Sequence, residues 1–133
     1  MRKIAFAIAA SAAFLTGPTL QAREKLTPEK RLEKMLEGRE AGKPVSCIST
    51  WSSRNMRVLD NTALIYDAGS VIYVNRPANP DVLEDNDVLA ARQTGSLLCR
   101  LDRVSMHDRS GNYYRGFVSL NDFVPYRLIT KAE

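Results

Sequence analysis

The amino-acid sequence predicts a mainly β protein, a small antiparallel β-barrel or sandwich that is preceded by one N-terminal amphipathic helix. From residue 45 onward, short runs rich in β-branched and aromatic residues are separated by turn signals about every 10 residues, a spacing typical of small barrels and sandwiches. No helical segments alternate with these runs, which disfavours a doubly wound parallel sheet. The one helical pattern lies before them, in residues 23–44.

Residues 1–22 have the three-part order of a secretory signal peptide. Two cations, Arg2 and Lys3, come before an apolar run over residues 4–15, and the segment ends on the small residue Ala22. The run of 12 residues is too short to span a bilayer, which needs about 20. We therefore expect cleavage after Ala22, export to the periplasm or beyond the cell, and no membrane span after cleavage.

Removal of the signal peptide changes what the composition indicates. The remaining residues, 23–133, are enough for one domain, and loss of Arg2 and Lys3 lowers the formal charge from +4 to +2. The basic residues are scattered among acids, with no concentrated cationic block. Nucleic-acid binding therefore has little support. The predicted organisation is a helix and linker over residues 23–44 and a small β domain over residues 45–133.

The predicted helix has recognisable start and stop signals. Thr27 can cap it, and Pro28 suits the first helical position. Gly38 or Gly42 can end it. Three apolar residues share one face at helical spacing: Leu32, Met35 and Leu36. This thin apolar face predicts a surface helix, with a tether to a partner as the alternative.

The predicted strands follow in order, with turns at residues 60–61, 67–70 and 107–112. Residues 76–87, with two prolines and four acids, predict a loop with a helical turn. The strands are expected over residues 45–50, 56–60, 62–67, 70–75, 96–106, 113–120 and 123–130.

The chain has two cysteines, Cys47 and Cys99, and in an oxidising compartment they predict a structural disulfide. Their spacing does not fit a Cys-x-x-Cys redox motif, and His107 is the only imidazole that could complete a zinc site or activate a thiol. In a continuous strand, Cys99 would share a face with Leu97 and Leu101, so we expect it to point inward.

Catalytic and metal-binding patterns are weak. Ser105, His107 and Asp108 lie close in sequence, but a catalytic triad gathers residues from separate elements, and we expect a histidine at the edge of a turn. Residues 84–87 are acidic but lack the glycine of an EF-hand loop, which indicates a solvated loop, with a weak calcium site as the alternative. The sequence predicts no catalytic residue, metal ligand or cofactor.

The aromatic residues indicate a candidate binding surface. Trp51, Tyr113 and Tyr114 would mark a ligand or protein site if they were exposed together. The alternative is that the aromatic side chains pack in the core and across strands.

A set of short motifs carries a resemblance. The motifs are Cys47-Ile48, Leu59-Asp60, Cys99 with Asp102, and the group Leu120, Phe123 and Pro125. Over residues 45–126 the chain resembles a family of small exported proteobacterial domains of unknown function. Members of that family carry two further cysteines, near the positions of Pro80 and Val118 here. The resemblance implies that those two pair with each other, which leaves Cys47 and Cys99 as the remaining bridge.

Together these features predict an exported, non-enzymatic β domain that binds a protein or another component of the cell envelope. Two other functions stay open from the sequence. One is a small periplasmic hydrolase that uses scattered acids or His107, and the other is a small-molecule or metal carrier.

Overall fold

The computed structural model describes residues 24–92 and 95–130, so the predicted signal peptide lies outside the described residues. The helix α1 covers Pro28–Met35, and a 3-10 turn covers Pro80–Val82. The strands are β1 (Arg39–Ala41), β2 (Cys47–Ser49), β3 (Met56–Leu59), β4 (Ala63–Asp67), β5 (Val71–Asn75), β6 (Asp87–Ala91), β7 (Leu97–Cys99), β8 (Arg103–Asp108), β9 (Tyr114–Ser119) and β10 (Phe123–Leu128). The prediction of a mainly β fold with one helix is confirmed.

The strands form three sheets, and all of their pairings are antiparallel. The five-stranded sheet has the order β1-β10-β5-β4-β3, the two-stranded sheet joins β2 and β7, and the three-stranded sheet has the order β6-β8-β9. The described strands do not close into one barrel. The choice between barrel and sandwich therefore stays a prediction.

The five-stranded sheet is covered on both faces. Side chains alternate along its strands, so that Leu64 and Tyr66 of β4 join one buried cluster while Ala63 and Ile65 join another. The first cluster also holds residues of both smaller sheets. The second is covered by α1, whose Leu32 is only 2% exposed. The apolar face predicted for the helix therefore packs against the sheet.

The start and end of the helix follow the predicted signals. Thr27 is the N-cap, and its hydroxyl accepts a hydrogen bond from the Lys30 N–H at 3.3 Å. Pro28 is the first helical residue. The chain leaves the helix through Gly38, whose φ of +72° is a conformation that glycine adopts without strain.

The predicted turns are present and have local causes. Asn61 adopts φ +50° between β3 and β4, and asparagine tolerates this left-handed conformation better than most residues. Between β4 and β5, the Asp67 carboxylate accepts a hydrogen bond from the Gly69 N–H at 2.9 Å. Between β8 and β9, the Asp108 carboxylate accepts hydrogen bonds from the backbone N–H groups of Ser110 and Gly111, each at 2.8 Å.

β10 is the last of the described strands and lies inside the sheet, between β1 and β5. It contains Pro125, which cannot donate a backbone hydrogen bond. The Gly42 N–H donates to the Pro125 carbonyl at 2.7 Å, so the backbone of Pro125 faces the β1 side. The regular β1 pairing stops at Ala41, and the next contact is an isolated bridge from Val45 to Phe123. The proline therefore lies where the ladder is interrupted.

The loop that leads into β10 is held by Asn75, a fully buried residue at the end of β5. Its side-chain amide donates to the Asn121 carbonyl at 2.7 Å and accepts the Asn121 N–H at 3.2 Å. Asn121 in turn donates through its own side chain to the Arg76 carbonyl at 2.9 Å. These bonds satisfy a buried polar side chain and fix the entry to β10.

Candidate functional site

Cys47 and Cys99 form the predicted disulfide, with an S–S distance of 2.07 Å. They lie directly opposite each other in β2 and β7. On either side of them, Arg100 N–H donates to Ser46 O at 2.7 Å and Thr50 N–H donates to Ser96 O at 2.9 Å. The cysteines therefore occupy a non-hydrogen-bonded pair, the position in an antiparallel ladder where facing side chains are closest.

The prediction that Cys99 points inward beside Leu97 and Leu101 is wrong. The buried residue of β7 is Leu98, which is 2% exposed, while Leu97 and Leu101 are 49% and 72% exposed. The chain turns after Cys99, so residues 96–106 form two strands, β7 and β8, and not one. The disulfide therefore joins β2 to β7 on the half-buried face of the two-stranded sheet, opposite the face that buries Leu98.

The turn after Cys99 is organised by Asp102. One carboxylate oxygen of Asp102 accepts the Cys99 N–H at 2.8 Å, and the Asp102 N–H donates to the Cys99 carbonyl at 3.1 Å. This closes the turn over Arg100 and Leu101, with Leu101 at φ +70°. A leucine in this conformation costs about 1–2 kcal/mol, and here its side chain faces solvent at the rim of a cleft.

All three residues of the predicted aromatic surface are exposed: Trp51 by 71%, Tyr113 by 59% and Tyr114 by 61%. Tyr113 and Tyr114 lie at the β8–β9 hairpin, and Tyr114 contacts the ring of His107. Trp51 lies in the loop after β2, where the Arg54 guanidinium stacks 4.0 Å above its ring. Among the described residues, the aromatic contacts join Tyr114 with His107 and Trp51 with Arg54, and none joins Trp51 to either tyrosine.

Ser105, His107 and Asp108 do not form a relay in the described structure. The Ser105 hydroxyl donates to the Ala90 carbonyl at 3.0 Å, across the ladder to β6. Asp108 is held by the turn, where the Ser110 hydroxyl and the backbone N–H groups of Gly111 and Ser110 keep the pKa of its carboxyl below the ordinary value. His107 packs edge-on against Tyr114, with ring centroids 5.8 Å apart.

The acidic segment at residues 84–87 is engaged by an arginine. Arg115 of β9 donates to both carboxylate oxygens of Asp87 at 2.7 and 2.9 Å and to Glu84 at 2.6 Å. The hydrogen bonds to Asp87 and Glu84 raise the pKa of Arg115 above its ordinary value. Across the described residues, no group of three or more acidic, histidine or cysteine side chains is placed to hold a metal ion.

A different surface emerges on the outer face of the three-stranded sheet, which we call the outer β6-β8-β9 face. A cleft of about 360 Å³ on this face is lined by Arg92, Arg103, Ser105, His107, Tyr114 and Phe117. Phe117 is 42% exposed, and the Arg103 guanidinium lies 4.7 Å above its ring. The face therefore presents two aromatic rings beside two arginines and a histidine.

Sequence reasoning identified Tyr114 but missed Arg103 and Phe117 as parts of the same surface. The available signal was the alternation of β8 and β9, which places Ser105 and Phe117 opposite each other on one face. The pairing between the two strands has an irregularity between Met106 and His107, which could not be read from the pattern.

The residues that carry the family resemblance have structural roles. Ile48, Leu59, Leu120 and Phe123 are buried, and Asp102 closes the turn described above. In the described part of the chain, no helix is long and apolar enough to cross a bilayer. Comparisons with known proteins found no matching family model, no matching curated protein and no matching solved structure.

Proposed function

We propose that the chain is an exported binding domain that holds a protein or another component of the cell envelope on its outer β6-β8-β9 face. The observation that carries this proposal is the exposed group of aromatic and cationic side chains around Phe117 and Tyr114. The pattern of residues 1–22 supports export, and the disulfide fits an oxidising compartment. The resemblance to small exported domains supports the same location.

The composition of this face favours a macromolecular partner. Aromatic residues and arginine are enriched in the cores of protein interfaces, where they supply most of the binding energy. The Arg103 guanidinium lies over the Phe117 ring and both side chains line the cleft, so a partner would meet an apolar contact and a cation together. Arg92 and Arg103 favour a partner with acidic groups at the contact.

Capture from an envelope fraction tests this proposal. The immobilised protein is compared with Phe117→Ala, which removes a ring that lines the cleft, and with Tyr113→Ala, which removes an exposed ring outside it. We expect mass spectrometry to identify a component that is retained by the wild type and by Tyr113→Ala and is lost with Phe117→Ala. Equal retention by all three proteins would contradict a role for this face.

The proposal also covers the processing of the chain and the arrangement of its sheets. The protein isolated from the periplasm or medium should begin at Arg23, and an N-terminus at Met1 would count against the signal peptide.

We also propose that the sheets form a sandwich and not a barrel. This is supported by the core cluster that holds residues of all three sheets, and by the edge strands β3 and β6, which are not paired with each other.

A hydrolase is the second candidate, because His107 and Ser105 line the same cleft. For this function the His107 ring would have to move away from the Tyr114 ring and accept a proton from a nucleophile. Turnover of a chromogenic ester that is lost with His107→Ala would favour the hydrolase, whereas activity that survives this substitution would remove it.

A carrier is the third candidate. A cleft of about 440 Å³ lies beside Leu101 and combines the apolar side chains of Val74 and Val124 with Arg76 and Arg100. Native mass spectrometry of the exported protein would detect a retained small molecule, and the mass of the bare chain would argue against a carrier.

A further inference from the structure

We propose that the seam between the edge strands β3 and β6 binds an extended acidic segment of a partner protein, which adds a strand between the two sheets. The seam is the gap between the outer edges of these strands, where Met56 and Val58 of β3 and Val88 and Leu89 of β6 line a cleft of about 410 Å³. It shares no lining residue with the cleft on the outer β6-β8-β9 face, so this inference does not depend on the proposed function.

Both strands that border the seam have an open edge. Within the described residues, β3 pairs only with β4, and β6 pairs only with β8. The edge of a sheet presents unpaired N–H and C=O groups, which an extended chain can bind by continuing the ladder. Two such edges facing one cleft offer hydrogen bonds to both sides of an added strand.

The backbone of β3 is oriented for this pairing. The Asp67 N–H donates to the Asn55 carbonyl at 2.9 Å, so the backbone groups of Asn55 face β4. Because this orientation alternates along a strand, Arg57 also faces β4, whereas the N–H and C=O groups of Met56 and Val58 face the seam.

Cations surround the outer side of the seam. Arg31 of α1, Arg57 of β3 and Arg109 of the β8–β9 turn line the cleft, and none of them lies within 4.0 Å of a carboxylate oxygen among the described residues. Asp85 and Asp87 also line the cleft, and both carboxylate oxygens of Asp87 are bound by an arginine of β9, so in the described part of the chain Asp85 is the one unpaired acid of the cleft against three arginines. The unpaired arginines therefore favour acidic side chains on the outer side of the added strand.

The inner side of the seam is apolar. A second cleft of about 190 Å³ adjoins the first, shares Met56 and Leu89 with it, and is lined further by Tyr66, Ala91 and Val104 among others. The Tyr66 hydroxyl is buried and makes no hydrogen bond in the described structure. The volume suits a side chain of about the size of valine or leucine. An added strand whose apolar side chains point inward and whose acidic side chains point outward would match both sides.

The positive charge around the seam indicates whether a segment of this chain or a segment of a partner protein is the better occupant. Residues 1–23 contain Arg2, Lys3 and Arg23 and no acidic residue, so that segment has the wrong charge to lie beside three arginines. A partner segment that alternates acidic and apolar residues has the right charge on one face and the right size on the other.

Labelled synthetic peptides test the proposal. The probe is a capped peptide of about seven alternating glutamate and valine residues, a typical strand length, measured by fluorescence anisotropy with the intact protein at low salt. The controls are the same peptide with lysine for glutamate, and one N-methylated at alternate residues, which cannot complete the ladder. We expect the acidic peptide to bind, the lysine peptide not to bind, and N-methylation to weaken binding about ten-fold.

Matched protein variants locate the binding. Arg57→Glu is expected to weaken binding of the acidic peptide about five-fold, and Arg109→Glu serves if the first variant does not fold. Lys43→Glu makes the same charge change in the exposed link between β1 and β2 and is expected to change affinity less than about two-fold. Amide hydrogen exchange at Met56 and Val58 should slow when the peptide is bound.

Four results would overturn the proposal. The first is that the acidic peptide does not bind. The second is that the N-methylated peptide binds equally well, which would indicate an anion cleft without strand addition. The third is that Lys43→Glu weakens binding as much as Arg57→Glu, which would indicate general electrostatic attraction. The fourth is self-association that is abolished by Arg57→Glu, which would make a second copy of this chain the occupant.

Discussion

Removal of the disulfide should lower the stability of the domain by a predictable amount. The double variant Cys47→Ala, Cys99→Ala frees two residues that are 52 positions apart. In the chain-entropy model, a loop of that size is worth about 4 kcal/mol at 25 °C, because the bridge restricts the unfolded chain. Small domains have a total stability of about 5–15 kcal/mol, so the variant should lose between about a quarter and four fifths of the total.

Urea unfolding followed by circular dichroism measures this loss in the free energy of unfolding. For a slope of about 1–3 kcal/mol/M, the midpoint should fall by about 1–4 M. The slope itself should rise, because the unfolded chain without the bridge exposes more surface. Wild-type protein unfolded with dithiothreitol is the matched control, since it loses the bond but keeps both side chains.

Two results would refute the reasoning. A double variant within about 1 kcal/mol of the wild type would mean that the bridge does not limit the unfolded state. Two titratable thiols in the denatured, unreduced protein would mean that Cys47 and Cys99 are not bonded. If only the double variant and not the reduced wild type loses stability, the loss comes from packing of the half-buried side chains.

Three further predictions concern single side chains. Tyr66→Phe should raise the free energy of unfolding by about 1 kcal/mol, because it removes a buried hydroxyl that makes no hydrogen bond; a decrease in the urea midpoint would contradict this. Asn75→Ala should cost about 1–3 kcal/mol, because it leaves the backbone of Asn121 unpaired, whereas Asn121→Ala should cost less, since that side chain is exposed; equal losses in thermal unfolding would argue against the role of Asn75. Glu29→Gln should cost less than about 1 kcal/mol at pH 7, because the ion pair with Arg76 is about half exposed to solvent and screened. Hydrogen bonds from Arg76 lower the pKa of Glu29 in the folded state, so this stability is present above the ordinary pKa of 4.5 and is lost as the pH falls from there through the lowered pKa; a wild-type advantage that persists at pH 2 would contradict the assignment.

The strands that could be predicted are those whose own residues favour extended structure and that are bounded by turn residues. The runs that became β3, β4 and β5 contain β-branched residues, with a tyrosine in β4 and another in β5, and they are separated by turns at Asn61 and Gly69. The segments that sequence reasoning missed are β1 and β6. β1 is Arg-Glu-Ala and β6 is rich in alanine, and both become strands because a partner strand supplies the hydrogen bonds. Propensity alone cannot show such pairing.

The candidate site was predicted only in part, for a similar reason. Tyr114 was identified as an exposed aromatic residue, but its neighbours Phe117 and Arg103 are brought to it by the register of β8 and β9. The turn at Leu101 was also missed, because leucine carries no signal for a positive φ. The hydrogen bond from the Cys99 N–H to the Asp102 carboxylate closes that turn, and no residue pattern in the sequence indicates this bond.

The position of β10 sets the order in which the molecule can be completed. A chain that emerges with its N-terminus first, from a ribosome or through a translocation channel, has β1 and β5 available long before β10 appears between them. Until β10 is free, the five-stranded sheet lacks an inner strand and the buried cluster that holds Tyr66 lacks the Phe123 ring that packs against it. The domain therefore stays incomplete during synthesis or passage, and the five-stranded sheet can close only after β10 has been delivered.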